Sequence, residues 1–254
     1  MDLRRNAFKA ALQRGERQIG LWCSMADTNV AEMLAGCGYD WLLFDAEHAP
    51  LDPLSVMPLL QAVAPYPVSP IVRPSSLNPA EIKKLLDCGA QSLLIPYVRD
   101  AEEAKLAAAA VAYPPHGFRG VAGITRATGY GAVKGYAAAA REDICLLVQI
   151  ETKSALDDLE AICAVDGVDG VFIGPADLAA SLGYAHDPSH PDVKAAVADA
   201  IKRIVACGKP AGFLSLSDEW NREVDALGSL FTAVDVDMAI LRNGAAARAA
   251  AWKK

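Results

Sequence analysis

The chain has 254 residues, 53% of them apolar and 22% charged, which is enough apolar material for one large core and too little charge for a disordered chain. Its formal net charge of −7 excludes a surface built for nucleic acid or anionic lipid, since both need clustered Lys and Arg. A small-molecule enzyme in a single domain spanning residues 1–254 is the expectation that remains.

The amino-terminal run MDLRRNAFKAALQRGERQIG reads as a short amphipathic helix, with no apolar stretch of signal-peptide length. Six cysteines (Cys23, Cys37, Cys88, Cys145, Cys163 and Cys207) form no C-x-x-C pair and no zinc-type grouping, so they read as reduced thiols in a cytoplasmic protein.

From Ile19 onward, short apolar runs alternate with helix-period segments. The runs are IGLWCS, WLLFDA, SPIVRP, SLLIPYV, ICLLVQI, GVFIG, AGFLSL and FTAVDV; helical stretches such as NVAEMLAGCG, PAEIKKLLDCGA and DVKAAVADAIKRIVACG separate them. Nearly continuous apolar strands imply a parallel sheet covered by helices on its outer face. Eight βα units predict an α/β fold of the (β/α)8 TIM-barrel type. An open doubly wound sheet is the alternative, but no G-x-G-x-x-G turn follows the first strand. Three helices end at Cys37-Gly38, Cys88-Gly89 and Cys207-Gly208, where glycine suits a left-handed C-cap. The segment YPPHGFRGVAGITRATGYGAVKGY, residues 113–136, carries six glycines with Arg119 and Arg126. It is longer than ordinary connections and reads as a lid, an interface arm or a mobile surface loop.

Barrel enzymes place their sites at the carboxyl ends of the strands. The polar residues there are Trp22 after the first run, Asp45, Glu47 and His48 after the second, Arg73 after the third, Gln149 and Glu151 after the fifth, and Gly174-Pro175-Ala176-Asp177 after the sixth. Neighbouring parallel strands lie about 4.8 Å apart, so Glu151 and Asp177 can converge on one divalent cation, with other positions left for water and a chelating oxygen ligand such as a 2-keto acid. Capping the following helices is the competing reading for both acids. The N–H groups of Ala176 and Asp177 open a helix and can receive an anion. Arg73 offers a planar cation to an enolate oxygen or a carboxylate, or else an ion pair with one of the neighbouring acids. His48 lies three residues beyond Asp45, whose carboxylate could orient the imidazole for acid–base work. Lys153, the one candidate for a Schiff base, opens a helix and reads as solvent-facing.

Three segments also carry a resemblance: GLWCSMADTNVAEMLAGCGYDWLLFDAEHAPLD, IVRPSSLNPAEIKKLLDCGAQSLLIPYV and QIETKSALDDLEAICAVDGVDGVFIGPADLAASLG. With them the chain resembles the metal-dependent class II pyruvate aldolases of the HpcH/HpaI hydroxy-ketoacid aldolase family. The resemblance implies a TIM barrel of the phosphoenolpyruvate/pyruvate-domain type. It implies reversible cleavage of 4-hydroxy-2-keto acids to pyruvate and an aldehyde through a metal-bound pyruvate enolate, as in the catabolism of aromatic compounds or sugar acids. Mg2+, Mn2+ or Co2+ would be held by Glu151 and Asp177, the substrate carboxylate by Gly174, Pro175 and Ala176, and the enolate by Arg73. His48, supported by Asp45, would serve as the acid–base group, while Trp22, Gln149 and Leu214 match pocket walls and Asp87 matches an acid that reaches a neighbour's site. A homohexamer with exchanged helices is implied too. The chain departs from the family pattern at SMADTNVAE and in residues 113–136, which puts the aldehyde preference in doubt. Two alternatives remain: a citrate-lyase-like enzyme acting on a coenzyme A ester, for which no basic cluster is visible, and a barrel serving as a non-catalytic binding module.

Overall fold

A computed structural model describes residues 3–253. Eight parallel strands close on themselves in sequence order: β1 (Gln18–Cys23), β2 (Trp41–Asp45), β3 (Ser69–Arg73), β4 (Ser92–Ile95), β5 (Cys145–Ile150), β6 (Gly170–Ile173), β7 (Ala211–Leu214) and β8 (Ser229–Val236). Each falls on one of the eight apolar runs, and pairing of β8 with β1 rules out the open sheet. The helices are α1 (Ala7–Gln13), α2 (Thr28–Ala35), α3 (Pro53–Ala62), α4 (Pro79–Asp87), α5 (Ala101–Val111), α6 (Tyr136–Asp143), α7 (Lys153–Asp157), α8 (Leu159–Cys163), α9 (Pro175–Ser181), α10 (Pro191–Ala206), α11 (Asp218–Ala226) and α12 (Asp237–Trp252). Among the described residues no helix is long and apolar enough to cross a membrane.

Local chemistry sets the helix ends. The Asn78 side chain accepts the N–H groups of Ala80 and Glu81 with Pro79 at the first helical position, and Asp27, Asp100 and Thr152 cap α2, α5 and α7 in the same way. Gly38, Gly89 and Gly208 adopt φ of +92°, +96° and +73°, the left-handed conformation expected after Cys37, Cys88 and Cys207.

The core has two layers. Residues such as Leu42, Val72, Leu93 and Val148 face the surrounding helices, while Trp22, Trp41, Leu43, Ile71, Leu147, Phe172 and Phe231 fill the barrel. Gly20 makes room for one of these rings, because a Cβ there would overlap the Trp41 indole. The amino-terminal end of the barrel is sealed by α1. Its Phe8 ring is fully buried and lies edge-on to Trp41 and Phe231, with centroids 6.2 and 5.8 Å away, a burial that contributes about 1.5–3 kcal/mol. Lys9 completes the seal, its Nζ donating to the Ile144 carbonyl at 2.7 Å and pairing with Asp169 at 3.2 Å.

Residues 113–136, read as a lid, an interface arm or a surface loop, are anchored to the barrel by two arginines while most of the segment stays exposed or half-buried. Arg119 is fully buried, donates to Asp87 Oδ1 at 2.9 Å and stacks on Tyr113 with its guanidinium carbon 4.6 Å from the ring centroid. Arg126 donates to the carbonyls of Cys88 and Leu60 at 2.9 and 3.4 Å. Because the segment connects α5 to α6, which leads into β5, it lies at the amino ends of the strands, away from the mouth at their carboxyl ends.

Candidate active site

The site begins with the register between β2 and β3, which sets Asp45 beside Arg73. Arg73 Nε donates to Asp45 Oδ1 at 2.8 Å and Nη2 to Oδ2 at 2.6 Å, a two-pronged pair with both side chains buried. Trp22 donates its indole N–H to Asp45 Oδ2 at 3.0 Å, and its ring lies 4.7 Å beneath the guanidinium carbon. Burial alone would raise the Asp45 pKa, but the hydrogen bonds and charge of Arg73 outweigh it and hold the carboxyl below its ordinary value.

The remaining guanidinium nitrogen, Arg73 Nη1, points to Glu47, with Oε2 2.6 Å away. That oxygen has no hydrogen bond of ordinary geometry. The Glu47 pKa is raised, first by burial and then by Asp45 and Asp177, with Arg73 and His48 opposing. His48 stands exposed, its Nε2 3.9 Å from the same Glu47 oxygen. Asp45 meets His48 only through the backbone: its Oδ1 accepts the N–H groups of Glu47 and His48 at 3.0 and 3.3 Å. The expected carboxylate support for the imidazole is thus corrected. The Asp45 carboxylate is occupied by Arg73, and the acid nearest the imidazole is Glu47.

The second half of the site follows from the pairing of Ile150 with Ile173, which brings Glu151 and Gly174 just beyond the ends of β5 and β6. Glu151 is buried and held at both oxygens, Oε1 by the Tyr97 N–H at 2.7 Å and Oε2 by Gln149 Nε2 at 2.6 Å. Tyr97 has φ +55°, a left-handed backbone that a bulky residue adopts only under constraint. A Cβ at position 174 would lie 2.5 Å from Glu151 Oε2 and 2.6 Å from Gln149 Nε2, so only glycine lets the chain pass this close. Pro175, Ala176 and Asp177 then form the first turn of α9, where the N–H groups of Ala176 and Asp177 have no intrahelical carbonyl.

Burial, followed by the charges of Asp177 and Glu47, pushes Glu151 up to about 7. Three carboxylates therefore share one field with a single buried arginine already committed to Asp45. Such a site favours a hard divalent cation, which offsets the repulsion and prefers oxygen donors. Among the described residues no three His, Cys, Asp or Glu side chains form a cation cage.

Residues 18–248 match the sequence model of the HpcH/HpaI aldolase/citrate lyase family. The chain belongs to this family. It is 56% identical over 252 residues to a hydroxypyruvate/pyruvate aldolase of Sagittula stellata, covering 99% of this chain and 100% of the relative. A 4-hydroxy-2-oxo-heptane-1,7-dioate aldolase of Salmonella heidelberg is 51% identical, with 97% and 94% covered. Among solved structures, a member of the HpcH/HpaI aldolase/citrate lyase family from Burkholderia cenocepacia superposes with a TM-score of 0.95 at 35% identity, covering 98% and 100% of the two chains.

Against this family background, the barrel mouth gathers Trp22, Asp45, His48, Arg73, Gln149, Glu151 and the turn Gly174–Asp177, with Leu214 ending β7. Two other candidates lie elsewhere. Lys153 is exposed and paired with Asp157 at 2.7 Å on the surface of α7, and Asp87 ends α4 at the amino face, held by Arg119. Glu47 and Tyr97 are the members that sequence reasoning gave no role. Glu47 was visible in FDAEHAP as a second acid at the end of that strand, whereas Tyr97 contributes through its backbone, for which a sequence holds no signal.

Proposed function

We infer that this enzyme is a divalent-metal-dependent pyruvate aldolase that reversibly cleaves 4-hydroxy-2-keto acids to pyruvate and an aldehyde. The observation that carries the reading is the division of the mouth: a buried, carboxylate-anchored Arg73 faces a crowded group of acids in which Glu151 is pushed up to about 7. Close relatives named as aldolases support it.

Glu151 and Asp177 would hold Mg2+, Mn2+ or Co2+, which when bound supplies Lewis acidity to a chelating 2-keto carboxylate. The N–H groups of Ala176 and Asp177 receive the substrate carboxylate across the Gly174-Pro175 turn. Arg73 Nη1, left free by Asp45 and facing Glu47 Oε2 at 2.6 Å, would turn to the negative charge that develops on the keto oxygen during bond cleavage. Its orientation is fixed by the Asp45 fork alongside and the Trp22 ring beneath. His48, exposed at the rim beside Glu47, takes or returns the proton at the aldehyde-side oxygen. Gln149 holds Glu151, and Trp22 and Leu214 bound the reacting carbons.

A homohexamer is part of this reading. The last helix, α12, packs only its first residue, Asp237, into the barrel. Met238, Ile240, Leu241 and Trp252 remain exposed along it, a face suited to another copy of the chain. A monomer in light scattering would remove this part.

The deciding experiment follows the methyl protons of pyruvate in deuterated water, with Mn2+ or Mg2+ and then with a chelator. Metal-dependent exchange in the wild type that is lost in Glu151→Ala and Asp177→Ala is the expected outcome. Metal-independent exchange, or borohydride capture of pyruvate on Lys153, would overturn it.

A further inference from the structure

A second cavity lies at the opposite end of the barrel from the mouth, beneath the amino ends of β3 and β4. Its volume is about 490 Å3, within the range of about 300–1,000 Å3 common for small-molecule sites. Arg4, Arg5 and Arg126 line it, and no aspartate or glutamate does. Arg5 is neutralised by Glu142 and Asp143, at 3.3 and 3.2 Å. Arg4 and Arg126 instead donate only to carbonyls, Arg4 to Ala64 and Arg126 to Cys88 and Leu60, and neither has an acid partner among the described residues.

A guanidinium carries five N–H donors, and the two carbonyls take two of those on Arg126 while fixing its plane. Burial and, to a smaller extent, the charge of Arg4 depress the Arg126 pKa, as expected for a half-buried guanidinium with an exposed like charge nearby. The position is also built for the guanidinium: a Cβ at Gly89 would come 2.5 Å from Arg126 Nη1. The other walls include Leu60, Val63, Val68 and Val133. Cationic forks on one side and branched aliphatic groups on the other fit an amphiphilic anion.

We propose that this cavity binds a small organic anion, a carboxylate or phosphate monoester on an apolar body, at a site separate from the catalytic mouth. Pro70 lines the cavity and lies on the same short strand as Arg73.

The test is calorimetric titration of the full-length protein with phenyl phosphate, benzoate, inorganic phosphate and phenol, in the presence of Mn2+ and saturating pyruvate. Saturable binding of phenyl phosphate or benzoate, at least about tenfold tighter than phenol, is expected. Arg126→Met and Arg4→Met should each weaken it about tenfold or more, while pyruvate proton exchange stays at the wild-type level. Arg4 lies on the exposed amino-terminal arm, so its variant remains informative if the loss of the Arg126 carbonyl contacts impairs folding. Displacement of the anion by pyruvate, equal binding of phenol, or binding unchanged in Arg4→Met would overturn the proposal. Loss of exchange activity in the wild type would refute the aldolase reading and leave this titration standing.

Discussion

Asp45 and Arg73 are paired by strand register and joined by two parallel hydrogen bonds at 2.8 and 2.6 Å, both side chains being buried. Arg73→Lys keeps the charge but cannot form the fork. Pyruvate proton exchange in this variant should drop by about 10²–10³-fold. Arg73→Ala should in addition destabilise the protein by about 3–5 kcal/mol, because Asp45 is left as a buried unpaired charge. Wild-type exchange in Arg73→Lys would remove the arginine from the mechanism.

Glu151 gives the site its pH dependence. Its folded pKa, pushed up to about 7, exceeds the ordinary value of 4.5, so between these values the folded metal-free protein binds more protons than the unfolded chain. Its stability should fall as pH rises through that window. Chemical denaturation of chelator-treated protein should show this fall, and Glu151→Gln should flatten it. Metal affinity should run the other way, rising as pH approaches about 7 and levelling above it. A metal affinity independent of pH from 5 to 8 would contradict the assignment.

His48→Ala should separate the two halves of the reaction. Cleavage of the 4-hydroxy-2-keto acid should fall by about 10²–10⁴-fold, with pyruvate proton exchange largely retained. Equal loss in both assays would place His48 with the pyruvate half. Glu47→Gln should weaken cleavage too, since Glu47 is the acid beside the imidazole and the partner of Arg73 Nη1.

Tyr97 supplies a backbone N–H to Glu151 from a left-handed conformation. Tyr97→Gly preserves the donor and removes a strain of about 1–3 kcal/mol, so metal affinity should be unchanged. Tyr97→Val, β-branched and ill-suited to this φ, should weaken metal binding and lower the melting temperature. Identical metal affinity in the valine variant would show that the N–H does not position Glu151.

The strands were readable because burial on both faces leaves apolar runs with little alternation, and polar residues at their ends mark the mouth without homologues. What escaped were relationships that depend on register and backbone angle. Asp45 reads as the natural support for His48, three residues on, until strand pairing puts Arg73 across from it. Tyr97 reads as one more aromatic residue. The 113–136 segment could have been placed more closely, since any connection from a helix to the next strand of a barrel lies on the amino face. Its buried Arg119 and half-buried Arg126, by contrast, follow from tertiary contacts with Asp87, Cys88 and Leu60.

The seal formed by Phe8 and Lys9 in α1 has a kinetic consequence. With one end of the barrel closed by a helix and its interior filled by aromatic rings, traffic passes through a single doorway. On the proposed reading the keto-acid fragment would sit innermost, against Glu151 and the Gly174 turn, with the aldehyde between it and solvent. Departure would then be sequential, aldehyde first and pyruvate last. Pyruvate should accordingly compete with the cleaved substrate for free enzyme, and the aldehyde should inhibit without competing, which product-inhibition kinetics would check.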